Sequence, residues 1–162
     1  MKKSTIIILT LFAFNLLKAN NVDTLSIKQH LNKIINTEKP RNYKNIETLN
    51  FVADYIFNEF SKYADTVYYQ YFIVNNKEYK NVICRFGSEN SKTIVVGAHY
   101  DVYGNQDGAD DNTSGVVGLL ELAKLFKDKS FDYYIDMLAY ELEKSPYFRT
   151  KNFGEIILSK CV

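Results

Sequence analysis

His99 and Asp101 stand two residues apart in Gly97-Ala98-His99-Tyr100-Asp101, and Gly108-Ala109-Asp110-Asp111-Asn112-Thr113-Ser114-Gly115 comes at short range after them. With Asp107, this Gly- and Asp-rich stretch gathers one imidazole and four carboxylates. Imidazole nitrogen with carboxylate oxygen suits a first-row metal such as zinc. Two apart at a strand end, His99 and Asp101 can emerge on the same side. A carboxylate there can accept the imidazole's second N–H and leave the other nitrogen for a metal. An acidic turn with an Asx cap explains the Asp and Gly residues of the loop, but not His99 and Asp101 ahead of it. Asn112-Thr113-Ser114 is a formal glycosylation sequon; inside this loop it reads as accidental.

These residues need a strand before them and a helix after them. The apolar run Thr93-Ile94-Val95-Val96 reads as a buried strand, and a helix leads out from Ser114 or Gly115 through Lys127. Phe131 to Glu143 reads as another strand. Upstream, Ile27, Leu31, Ile34 and Ile35 recur at helical spacing within Ser26 to Thr37, with Asp23 or Thr24 as cap. His30 in that segment reads as a helix-surface histidine, because no carboxylate or thiol cluster adjoins it in sequence. Past Pro40, a longer helix runs from Asn45 to Tyr63 with Leu49, Val52, Ala53, Ile56 and Phe60 on one face. Val67–Val74 and Glu78–Phe86, joined across Asn75-Asn76-Lys77, form a hairpin signal. Strand propensity accounts for Tyr68-Tyr69-Gln70-Tyr71 without a stacked ligand.

At 162 residues, 46% apolar and with 13 Tyr and 11 Phe, the chain supports one domain with a real core. A net charge of +1 and no basic run give no field for nucleic acid. Serine and cysteine hydrolase chemistry lacks support, since there is no G-x-S-x-G and neither Cys84 nor Cys161 has a His partner. Cys84 alternates with apolar residues and reads as core. Lys2 and Lys3, the apolar stretch Ile6 to Leu17 and the small Ala19 read as a signal peptide over residues 1–19, so the chain is expected to be exported, with residues 20–162 as the domain and no stable membrane insertion.

Ile94-Val95-Val96-Gly97-Ala98-His99-Tyr100-Asp101, with Gly108 to Gly115 after it, resembles the zinc aminopeptidases of peptidase family M twenty-eight, which has glutaminyl cyclases as relatives. The likeness runs from Pro40 to Gly154, through Pro40-Arg41-Asn42, Asn81-Val82-Ile83 and Leu119-Leu120-Glu121-Leu122-Ala123. It implies an α/β fold, a mixed sheet flanked by helices in an α/β/α sandwich, and a peptide substrate cut at its free amino terminus with the help of two zinc ions. By resemblance, His99 binds one zinc, Asp101 orients His99, and Asp111 bridges both ions. Further along, the family has two adjacent glutamates, base first and ligand second. Glu143 falls on the base and Lys144 on the ligand. An ammonium has no lone pair for zinc and repels a neighbouring cation. Glu141 cannot replace it, because it is not adjacent to Glu143 and Pro146-Tyr147-Phe148-Arg149-Thr150 pins the register.

The family's last two ligands, an Asp and a His, fall beyond Val162, so a carboxy-terminally truncated fold is expected. The resemblance thus implies catalytic Asp101 and Glu143, metal-binding His99 and Asp111, and at most one zinc, weakly held. It implies an exported aminopeptidase-type enzyme with little activity alone; the alternative is a non-catalytic binding or interaction module. Lys144 is expected to pair with Asp111 or Glu143 in place of a metal. The strand carrying Ile94-Val95-Val96, interior in the family, is expected to present an open edge prone to self-association.

Overall fold

The computed structural model describes residues 23–88, 92–150 and 152; the signal-peptide segment, Cys161 and the apolar positions from Phe153 onward lie outside the described residues. Helix α1 (Thr24–Ile35) starts where Asp23 accepts the N–H groups of Leu25 and Ser26 at 3.0 and 3.2 Å. Helix α2 (Ile46–Phe60) buries Leu49, Val52, Ala53, Ile56 and Phe60. Strands β1 (Thr66–Val74) and β2 (Lys77–Phe86) form an antiparallel hairpin through Asn75 and Asn76, at φ 50° and 59°. Two positive φ angles are what a tight hairpin turn requires, and Asn tolerates them. Strand β3 (Thr93–His99), helix α3 (Ser114–Phe126) and strand β4 (Tyr134–Tyr140) complete the order.

The sheet is mixed, in the order β1-β2-β4-β3, with β4 antiparallel to β2 and parallel to β3. The three helices join one sheet face in a single apolar cluster that includes Ile56, Val82, Phe86, Leu120 and Met137. Each such fully buried side chain contributes roughly 1.5–3 kcal/mol. On the other face Ile83 and Leu138 make a smaller cluster with Tyr140. Among the described residues, no helix is long and apolar enough to cross a membrane.

Three expectations change. Ile94, Val95 and Val96 are not buried: they are 48%, 44% and 36% exposed. Among the described residues β3 has a neighbour on one side only. The last strand is shorter than Phe131 to Glu143. It ends at Tyr140, because Leu142 adopts φ 61° and turns the chain out of the sheet, while Phe131 packs against Phe126 with ring centroids 4.9 Å apart. His30 is half-buried between helices rather than on a helix surface. Its Nδ1 lies 2.6 Å from the Tyr55 hydroxyl and its Nε2 3.7 Å from Glu121. That carboxylate is distant in sequence and arrives only with α3. The tyrosines of β1 are partly taken up by packing: Tyr69 stacks on Phe57 at 4.5 Å and donates to Asp54.

Candidate functional site

Parallel pairing of β3 and β4 builds the site. His99 lies opposite Tyr140, and the Tyr100 N–H donates to the Tyr140 carbonyl at 2.9 Å. Both strands therefore end at one level, and the segments leaving them must meet. Asp101 links the two ends: its carboxylate accepts the backbone N–H groups of Glu143 at 3.3 Å and Lys144 at 3.1 Å.

The loop bearing Asp111 is held by Arg41. This buried guanidinium donates from Nε to the Tyr100 carbonyl at 2.8 Å and from Nη1 to the carbonyls of Ile34 at 3.2 Å and Asp107 at 2.7 Å. From Nη2 it donates to the Gly108 carbonyl at 3.1 Å and to the Thr113 hydroxyl. All five donors of the fork are used. Burial, resisted by Asp101 and Asp107, lowers its pKa to about 10, which still leaves it charged. Asn42 adds a bond to the Gly104 carbonyl at 2.6 Å. Gly108 sits at φ 59°, where a Cβ would approach Val102 to 2.3 Å. The Asn112 side chain caps α3 by accepting the Gly115 N–H at 3.2 Å. A Cβ at Gly115 would strike that same oxygen. The Asx cap and the acidic loop thus coexist. In sequence, Arg41 stands out only as part of a family likeness. A buried, fully used Arg becomes visible only when distant carbonyls converge on it.

His99, Asp101, Asp111 and Glu143 are brought together. His99 Nδ1 lies 3.0 Å from the Asp101 carbonyl and 3.4 Å from its carboxylate. His99 Nε2 lies 3.0 Å from Asp111 Oδ1 and 3.5 Å from Glu143 Oε2. Both ring nitrogens thus face oxygen acceptors, which suits a doubly protonated imidazolium. Burial alone would lower the His99 pKa, but Asp101 and then Glu143 outweigh it and raise it.

Lys144 closes the group. Its Nζ donates to Asp111 Oδ1 at 2.8 Å and Oδ2 at 2.7 Å, and lies 2.9 Å from Glu143 Oε2 in an ion-pair contact without hydrogen-bond alignment. The ammonium, chiefly by hydrogen bonding, holds Asp111 below the usual carboxylate range. Burial works against the Lys144 charge, but Asp111 and Glu143 outweigh it and raise its pKa.

Glu141 lies behind, only 1% exposed, with Oε1 accepting the Lys80 N–H and Oε2 unpartnered. Burial, reinforced by Asp101, pushes its carboxyl up to about 8.

The zinc that the likeness implies does not fit this arrangement. Lys144 places a cation against Asp111 and Glu143. Among the described residues, no group of three His, Cys, Asp or Glu side chains is arranged to hold a metal ion.

A mixed α/β sheet with acid–base side chains gathered where two parallel strands end has the form of a metallopeptidase-like fold. Residues 81–153 match the model of Peptidase family M28. The uncharacterized protein YfbL of Escherichia coli is 36% identical over 129 residues, which are 75% of this chain and 40% of that protein. A glutaminyl cyclase structure from Tannerella forsythia aligns at 26% identity and TM-score 0.60, over 74% of this chain and 46% of the cyclase. A Zn-dependent exopeptidase structure from Parabacteroides distasonis aligns at 25% identity and TM-score 0.59, over 75% and 47% of the two chains. The chain thus spans less than half the length of these proteins.

Proposed function

We propose that this chain is the front part of an exported aminopeptidase-type hydrolase of Peptidase family M28, acting on peptides with a free amino terminus, and that by itself it hydrolyses them poorly. The observation that carries this is the meeting of His99, Asp101, Asp111 and Glu143 at two adjoining strand ends, with Lys144 bound to both Asp111 and Glu143. In this reading His99 and Asp111 are the positions that would face a metal in a site without the Lys144 ammonium, and a metal there would supply polarisation of a carbonyl and of water. Glu143 is the carboxylate placed to accept a proton from water and return it to the leaving amine. Asp101 holds the Glu143–Lys144 backbone against His99. The ammonium that neutralises Glu143 also makes it a poorer base. Export rests on the leader-like residues 1–19.

A second reading, a non-catalytic binding module, is favoured by the same ammonium, since it pairs with both Asp111 and Glu143. Steady-state assays with aminoacyl p-nitroanilides and zinc test the two. Little turnover is expected of the chain itself. Zinc-dependent turnover at the rate of a competent exopeptidase would overturn the claim of weak activity.

A further inference from the structure

Three carboxylate oxygens surround one point: both of Asp111, at 2.8 and 2.7 Å from Lys144 Nζ, and Oε2 of Glu143 at 2.9 Å. His99 Nε2 borders the same point, 3.0 Å from the nearer Asp111 oxygen and 3.5 Å from Glu143 Oε2. The ammonium donates to both Asp111 oxygens and meets Glu143 Oε2 in an ion-pair contact. The Lys144 side chain is 19% exposed, so the pair is partly shielded from solvent. Without this ammonium, the carboxylates of Asp111 and Glu143 would face His99 with no cation between them. Imidazole nitrogen and carboxylate oxygen are donor types that a first-row divalent ion takes, although in the present arrangement they are not set to hold one.

We propose that Lys144 is an internal cation that holds a latent divalent-metal pocket closed, and that this one side chain decides between a charge-paired site and a metal-holding one. The proposal rests on the metallopeptidase-type reading of the pocket. It extends that reading to a claim about binding, independent of hydrolysis. Lys144 excludes a metal in two ways. Its charge repels a divalent ion brought beside it. It also occupies the oxygens such an ion would need, and because it is tethered no dilute ion competes on equal terms. The remaining framework does not depend on it: Asp101 fixes the backbone at positions 143 and 144 through their N–H groups, and Arg41 fixes the Asp111 loop. A carboxylate at position 144 therefore starts from the same backbone, with His99 and Asp111 already in place.

The test compares the chain with its Lys144→Glu and Lys144→Met variants, each checked for fold by circular dichroism. Each is titrated with Co²⁺ monitored by visible absorbance and with Zn²⁺ monitored by calorimetry. The unchanged chain is expected to bind only weakly. Lys144→Glu is expected to bind one ion about 100-fold more tightly or better, and to lose that gain when His99→Ala is added. Lys144→Met keeps the volume without the charge. It is expected to bind about 10-fold more tightly than the unchanged chain, and to melt lower without metal because Asp111 and Glu143 lose their cation. Should Lys144→Glu fail to fold without metal, the Met variant alone decides. Zn²⁺ binding by the unchanged chain as tight as that of the variants would overturn the proposal, as would folded variants that gain nothing. Metal binding by Lys144→Glu without peptide cleavage would leave this inference standing and count against the aminopeptidase reading.

Discussion

Replacing Glu141 by Gln should make the protein more stable at alkaline pH and leave it nearly unchanged in acid. The carboxyl is 1% exposed, its Oε2 has no partner, and Lys80, Tyr100 and Asp101 face it. Its pKa rises from the ordinary 4.5 to about 8. An acid whose folded pKa is raised stabilises fully below its unfolded value, and that stability is lost as pH rises towards the folded one. The slope is negative because between the two values the folded state keeps a proton that the unfolded state has released. A displacement of about 3.5 pH units, at 1.36 kcal/mol each, bounds the loss at on the order of 5 kcal/mol. That is a large share of the ~5–15 kcal/mol typical of a domain. Gln keeps the acceptor for the Lys80 N–H and does not ionise. His99, whose pKa is also raised, loses its contribution in the same direction as pH rises, so the variant's profile will not be flat. The difference between the two proteins isolates Glu141. Urea unfolding monitored by circular dichroism from pH 4 to about pH 9 reads it out. The curves should coincide near pH 4 and diverge by several kcal/mol by about pH 8. Parallel curves would refute the buried carboxyl with a raised pKa.

Arg41→Lys keeps the charge but cannot reproduce a five-donor fork, so stability should fall by about 2–4 kcal/mol, with new proteolytic cleavage between Gly104 and Thr113. Ile56→Ala, inside the main cluster, should cost about 2–5 kcal/mol by denaturant unfolding with little change in slope. Asp23→Ala removes the cap of α1 and should cost about 1 kcal/mol in the same assay. At the side of β3 that has no neighbour among the described residues, Val95→Lys should reduce any self-association seen by sedimentation, because a charge on an edge strand opposes pairing with another chain.

Local pattern settled much of this protein. The 3.6-residue spacing of Leu49, Val52, Ile56 and Phe60 specified α2 and its buried face. Aromatic and β-branched runs on either side of Asn75-Asn76-Lys77 specified the hairpin. The types and spacing of His99, Asp101 and Asp111 marked a loop able to do chemistry, because side-chain direction at a strand end is set by a period of two. What sequence could not supply depends on chain segments meeting across long separations. Arg41 reads as one more charged residue until carbonyls from positions 34, 100, 107 and 108 gather around its guanidinium. Glu141 and Glu143 look alike in sequence, yet one is buried with its pKa raised while the other faces Lys144, a difference made by the turn at Leu142. The apolar run of β3 reads as buried, but burial of a strand depends on what lies beside it, and its neighbour on one side is β4. Residue types set which interactions were available; only the parallel meeting of β3 and β4 placed the Lys144 ammonium between Asp111 and Glu143, because ion pairing falls off over a few ångströms that sequence distance does not measure.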